Sequence, residues 1–215
     1  MPVPLKIDFV SDISCPWCVI GLRALQQAIT RLDGQVAVDL HFQPFELNPQ
    51  MPAGGQDIDE HLQQKYGSSP EQAAQVRERI RAAGAALGFT FSLQTRSRIY
   101  NTFDAHRLLH WAALEGRQLA LKQALFQAYF TDGEDPSSHP LLIRLAAAAG
   151  LDAERAAQIL ESQAFAAEVR QEQAFYLDQG IHAVPAVIIN QQHLIQGGQP
   201  VAVFEQALRQ IAGLS

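Results

Sequence analysis

The sequence predicts an α/β fold in which an N-terminal βαβ unit and a C-terminal ββα unit flank a long helical block. Three observations predict it. Val36, Val38, Leu40 and Phe42 alternate strictly with more polar neighbours, the period of a half-buried strand. The middle of the chain instead carries apolar residues at three- and four-residue spacing, and the strand period returns around Ala186–Gln196. Its 215 residues suffice for one large domain or for a domain with a sizeable insertion, and a composition of 47% hydrophobic and 18% charged residues is that of a globular chain.

Taken in order, residues 5–10 have strand character, with Leu5, Ile7 and Phe9 on one face. From Pro16 to about Leu32 a helix is expected, because Leu22, Leu25, Ala28, Ile29 and Leu32 make one apolar stripe, and Asp33-Gly34 stops it. With the strand at Val36–Phe42 this is a βαβ unit, expected to be parallel and right-handed. The Pro/Gly-rich residues 47–56 read as a loop. From about Asp57 to Gly180 the chain reads as helical, with one stripe through Ala73, Val76, Ile80, Ala83 and Leu87 and another through Leu121, Leu125 and Tyr129. Gly67, Gly88, Gly116, Gly133, Gly150 and Gly180 fall near segment ends. Ala186–Ile189 and His193–Gln196 flank Asn190-Gln191-Gln192 as a hairpin, and a last helix starts at about Pro200 with Phe204, Leu208 and Ile211 inward. The expected division is therefore residues 1–46 plus 181–215 as the α/β frame, and 47–180 as the helical insertion.

Charge and targeting exclude several classes. The formal net charge of −6 offers no basic footprint for nucleic acid or for an anionic membrane surface. Lys6, Asp8 and Asp12 interrupt what would be the apolar region of a signal peptide, and no uninterrupted apolar stretch approaches the ~18 residues of a transmembrane helix. A cytoplasmic location is expected, with no membrane partner.

The chain has only two cysteines, in the run Cys15-Pro16-Trp17-Cys18 at the junction of the first strand and first helix. Two thiols cannot staple a secreted scaffold or fill a four-cysteine zinc site. On the first turn of a helix, a C-x-x-C pair can close and reopen a disulfide with little rearrangement. The unsatisfied N–H groups and the dipole there favour a thiolate. The first cysteine of such a motif is the accessible nucleophile and the second resolves the mixed disulfide, which gives Cys15 and Cys18 their roles. His106 and His110 lie four apart on an expected helix, but the residues between them lack the glutamate of a zincin, so they are read as partly buried helix residues and no metal is expected.

These residues carry a resemblance. CPWC after the first strand, Ala183-Val184-Pro185-Ala186 before the terminal ββα unit, Phe45-Glu46-Leu47-Asn48-Pro49 after the second strand and Asn101-Thr102-Phe103-Asp104-Ala105-His106-Arg107-Leu108 resemble the DsbA-like thioredoxin superfamily over nearly the whole chain. The chain is most similar to its cytoplasmic FrnE-type branch, beside the kappa-class glutathione transferases and 2-hydroxychromene-2-carboxylate isomerases. The resemblance implies a thioredoxin-like fold with a helical insertion and a thiol–disulfide oxidoreductase, with disulfide isomerisation within its reach. Protein or peptide disulfides, or small thiols such as glutathione, would be its substrates. It implies no cofactor beyond the Cys15–Cys18 disulfide, with glutathione open as co-substrate. Val184-Pro185 would form the cis-proline loop facing Cys15, with Pro16 and Trp17 completing the active-site loop. Asp8 stands close to where relatives carry an acidic residue and could take the Cys18 proton, or could be a solvated strand residue. Asn48 and Gln199 fall where the sister families contact glutathione. Asn101 reads as the N-cap of its helix.

Two other functions stay open. One is a glutathione-dependent isomerase or transferase acting on a small aromatic substrate, with Phe103, Trp111 and Phe126 lining a pocket, although a core role is the default for those rings. The other is a non-catalytic, redox-sensing or chaperone-like peptide binder. A homodimer is also open, because sister families dimerise through the helical region. Some FrnE-type proteins carry a further cysteine pair near the C-terminus that this chain lacks, so all redox chemistry must pass through Cys15 and Cys18.

Overall fold

The computed structural model describes residues 1–52, 54–92 and 97–214. Strand β1 (Val3–Ser11), helix α1 (Pro16–Arg31) and strand β2 (Val36–Pro44) form the expected βαβ unit, with β1 and β2 parallel and Phe9 opposite Phe42. The hairpin of β5 (Ala186–Ile189) and β6 (His193–Gln196) joins it antiparallel to β1, so the sheet order is β2-β1-β5-β6. Helix α9 (Val201–Ile211) packs beside α1 on one face of the sheet. There Leu5, Ile7 and Phe9 meet Leu22, Leu25, Ala28, Phe204 and Leu208 in one buried cluster. The strand alternation of β1 turns Val10 to the opposite face, against Tyr176 and Ile181. A central strand is thus covered on both sides, as a strand serving a parallel pair must be.

The segment between β2 and β5 is mainly helical. It comprises α2 (Ile58–Tyr66), α3 (Pro70–Ala86), α4 (Phe103–Leu114), α5 (Gln118–Phe130), α6 (His139–Ala148), α7 (Ala153–Glu161) and α8 (Ala166–Asp178). The expected continuous helical reading is corrected in one place. Two-residue strands β3 (Gln56–Asp57) and β4 (Arg98–Ile99) pair antiparallel inside the block. Strands this short have no period to read, and residues 93–96 of the same stretch lie outside the described residues. The stripe on α3 is also narrower than its spacing suggests: Ala73 and Ile80 are buried, but Val76 is exposed.

Helix α5 is a shared wall. Phe126, Tyr129 and Phe130 join the cluster against the sheet, while Leu121, Leu125 and Ala128 join a second cluster with α4, α6 and α7. Buried Arg107 ties that second layer together: its guanidinium donates to the carbonyls of Ile159, Ser162 and Ala164 at the end of α7 and to the Asp104 carboxylate. Asp104 also accepts from His139. Among the described residues no helix is long and apolar enough to cross a membrane.

Candidate functional site

Cys15 is the N-cap of α1, Pro16 takes its first position, where a missing N–H costs nothing, and Cys18 follows on the same turn. Both thiols are free, and the Cys18 N–H donates to the Cys15 carbonyl at 3.1 Å. They differ in access: Cys15 keeps 4% of its surface, and Cys18 none. The Cys15 thiol donates to the Val184 carbonyl at 3.6 Å, and the Val184–Pro185 peptide is cis. The turn after the hairpin supports this loop, since the Gly197 N–H donates to the Pro185 carbonyl at 2.8 Å. The close fit of α1 against these loops needs glycine twice. A Cβ on Gly21 would stand 3.1 Å from the Pro185 ring, and one on Gly198 would stand 2.9 Å from the Trp17 carbonyl. Trp17 itself packs, half-buried, against the sheet-side core.

Beneath the pair lies a set of polar groups that the sequence reading did not single out. Asp12, fully buried just after β1, accepts from the Ser14 hydroxyl and the Leu47 N–H at 2.8 Å each. His106 reaches it from α4. Its Nε2 faces the Asp12 carboxylate at 3.4 Å and the Phe45 carbonyl at 3.1 Å, two acceptors, so that nitrogen carries a proton. Burial alone would raise the Asp12 pKa; the hydrogen bond and charge of His106, the Leu47 amide and Thr102 outweigh it and hold the group at about 2. These bonds account for two of the sequence motifs: 45–49 and 101–108 supply the groups that cage Asp12.

Lys122 of α5 is the second buried charge. It is 0% exposed, and its ammonium lies 5.0 Å from the Phe126 ring centroid and 5.8 Å from that of Phe42. Burial lowers its pKa to about 8 against the opposing pull of Cys18, Asp12 and Cys15. Burial and the neighbouring Cys15 push the Cys18 thiol well above its ordinary range, while Lys122 and a backbone hydrogen bond from Asp12 pull it back. A signal for Lys122 was present in the sequence: it shares the helix face of Phe126 and Tyr129, where an apolar residue is expected.

The other sequence-named residues are placed as follows. Asp8 is buried, but its side chain takes the face of β1 opposite Phe9 and the cysteines. There it accepts from Gln43 at 2.7 Å, lies 3.8 Å from the Lys6 ammonium, and borders a cleft with Tyr176 and Ile181. The carboxylate on the cysteine side is Asp12, displaced from Asp8 by the turn before Cys15. Asn48 accepts from Lys65 at 2.8 Å, and Lys65 also donates to the Leu47 carbonyl at 2.8 Å. The neighbouring Tyr66, exposed, has its phenol pKa raised by burial of part of the ring and by Cys15. Lys65 thus ties Asn48 to Leu47, the residue whose N–H donates to Asp12. The Gln199 amide turns back to the Gln196 carbonyl at 2.7 Å.

His110 pairs with Glu172 at 3.2 Å. Phe126 and Trp111 are core residues of the two clusters, and Phe103 carries the Arg170 guanidinium 3.7 Å from its ring centroid. The N-cap of α4 is Thr102, not Asn101, whose side chain accepts instead from the Phe103 N–H at 2.9 Å.

Comparison with known proteins agrees with this architecture. A probable DsbA oxidoreductase from Streptomyces coelicolor is 35% identical, superposes with a TM-score of 0.91, and the match covers 97% of this chain and 90% of that one. A 2-hydroxychromene-2-carboxylate isomerase (16% identity, TM-score 0.71, 98% and 99% covered) shares the fold. So does the cytosolic disulfide reductase DsbM from Pseudomonas aeruginosa, solved with GSH (17% identity, TM-score 0.67, 97% and 100% covered). The DSBA-like thioredoxin domain family matches residues 6–209. With a thioredoxin-like sheet, an inserted helical layer and this match over nearly its whole length, the chain belongs to the DsbA-like thioredoxin family and is an enzyme of the oxidoreductase type.

Proposed function

We propose that the protein is a thiol–disulfide oxidoreductase of the FrnE type, acting in the cytoplasm through a Cys15–Cys18 dithiol. One observation carries the reading: Cys15 sits at the N-terminus of α1 against the Val184 carbonyl, with Cys18 sealed directly behind it. Cys15, as thiolate, attacks a substrate disulfide and forms a mixed disulfide. Cys18 then attacks Cys15, the reduced substrate leaves as a thiolate, and the enzyme holds the Cys15–Cys18 disulfide. Run backward, the same steps oxidise a substrate dithiol. If the reduced enzyme predominates, repeated attack by Cys15 isomerises disulfides. Direction follows from the motif's potential against the glutathione pool, about 30 mV corresponding to roughly 1.4 kcal/mol.

The substrates are protein or peptide disulfides, whose extended backbone pairs with Val184 beside Cys15. Glutathione serves as co-substrate, with Asn48 and Lys65 offering an amide and a cation to its polar ends. No other cofactor is needed. The test is insulin reduction and refolding of scrambled ribonuclease. Cys15→Ser abolishes both. Cys18→Ser retains mixed-disulfide formation with glutathione but loses net reduction. Full insulin reduction by Cys15→Ser would end this reading.

A further inference from the structure

The sheet face opposite α1 is only partly covered. Tyr176 at the end of α8 and Ile181 just beyond it pack on Val10 and Ala186. On the same face the register sets Asp8 beside Ile188, and Ile188 beside Leu194. These three, with Phe175, Tyr176 and Ile181, line an open cleft of about 330 Å³. That is the lower end of the range of small-molecule sites, roughly 300–1,000 Å³. Two of its apolar walls stand in water, with Phe175 56% and Leu194 50% exposed. At the bottom lies a carboxylate whose charge is incompletely met. Asp8 is 4% exposed; its Oδ1 accepts from Gln43 at 2.7 Å, while Oδ2 has the Lys6 ammonium at 3.8 Å, outside hydrogen-bond distance. The Lys6 side chain is itself 45% exposed, and the register of β1 with β2 sets a second carboxylate, Asp39, beside it. His41, in register with Asp8, turns to Asp39 at 2.8 Å. A buried carboxylate with acceptor capacity to spare is costly unless a donor meets it.

We propose that this cleft binds a small organic amine with an apolar body, its ammonium on Asp8 Oδ2 and its body between Phe175 and Tyr176 on one side and Ile188 and Leu194 on the other. The charge of the site selects a cation, and the Tyr176 ring beside Asp8 favours one as well. Asp8 and Glu172 act together here: with burial, their charges raise the Tyr176 phenol pKa. The apolar walls select a carbon skeleton over a bare metal ion, and among the described residues no cluster of three His, Cys, Asp or Glu side chains is placed to hold a metal. The cleft is also preformed. The Asn190 side chain accepts from the Lys6 N–H at 3.0 Å and the Asn190 N–H donates to the Lys6 carbonyl at 2.8 Å, which fixes the β5–β6 turn to β1. That turn holds Gln191 at φ 58°, a left-handed conformation uncommon for glutamine, and keeps the Gln191 and Gln192 side chains at the rim. The site lies across the sheet from the cysteines and does not rest on the dithiol reading.

The probe is phenethylamine, titrated into the full-length protein by calorimetry at pH 7 and low salt. Its controls are 2-phenylethanol, with the same body and no charge, and 3-phenylpropanoate, with the opposite charge. The amine is expected to bind at least about tenfold tighter than either. Asp8→Asn is expected to erase that preference, and Phe175→Ala to weaken the amine several-fold. Lys6→Met changes an exposed side chain and removes the competing ammonium, so it is expected to tighten amine binding; this gain reads the site even if Asp8→Asn fails to fold. In the wild-type protein the amide resonances of Ile188 and Leu194 should shift on titration and saturate. Equal affinity for amine and alcohol, a preference that survives Asp8→Asn, no tightening in Lys6→Met, or saturable shifts confined to other residues each overturn the proposal. Tighter binding of N-acetyl-lysinamide than of phenethylamine would make the cleft a peptide subsite and overturn it too. Cys15→Ser is expected to bind the amine as the wild type does, so the dithiol reading and this one fail separately.

Discussion

Asp12 shows what one buried carboxylate contributes. Its ordinary pKa of 3.8 falls to about 2 in the folded protein, so the unfolded chain binds its proton first as pH drops. The stability this gives is fully present above about pH 4 and is lost as pH falls through about 2, an amount of about 2 kcal/mol. Urea unfolding between pH 6 and pH 2 should show that loss. Asp12→Asn, which keeps the shape but cannot ionise, should be less stable at neutral pH and lack this part of the acid dependence. At this scale the sequence was only partly legible. The cysteines announce themselves by spacing and position. Asp8 was the more conspicuous acid because it interrupts an alternating strand. Alternation separates Asp8 from Ile7 and Phe9, however, without telling which face α1 will cover. Lys122 stayed hidden for a related reason: a lysine on an apolar stripe can snorkel to solvent, and only the packing of α5 against the sheet denies it that exit.

Among the elements, those with a sustained period were readable from end to end: β1, α1, β2, the terminal hairpin and α9 lie close to where the pattern puts them. The β3–β4 pair was not, since two residues carry no period, and its partners are brought together by helices between them. The cap of α4 was misplaced by one residue because an Asn can serve the helix from just outside it. One element-scale constraint is the approach of α1 to the turn after β6. An Ala at position 198 would set its Cβ 2.9 Å from a backbone oxygen, that of Trp17, which no rotamer can relieve. Gly198→Ala is therefore expected to cost about 1–3 kcal/mol, read as a lower urea midpoint at unchanged slope. An unchanged midpoint would mean that the turn yields freely.

For the whole molecule, the order of the elements was legible and the course of the core was not. Position along the chain separates a frame from an insertion, yet α5 sends alternate faces into both buried clusters. The two tryptophans report on the two sides: Trp17 packs on the sheet-side cluster, and Trp111 lies in the helical one. Because a single helix belongs to both, the protein should unfold as one unit. Trp17→Phe and Trp111→Phe, each leaving one fluorophore, should give denaturant curves in which fluorescence coincides with far-UV circular dichroism. Non-coincident curves would show that the halves melt apart. The bond from Cys15 to Val184 has a consequence for biosynthesis, since it spans 169 residues of chain. A ribosome delivers the N-terminal end first. The thiol pair therefore emerges long before the loop that covers it, and β1 waits equally long for its neighbour β5. Until that loop is made, the nascent chain carries its reactive pair bare, and completing the sheet and sheathing the nucleophile are the same late event.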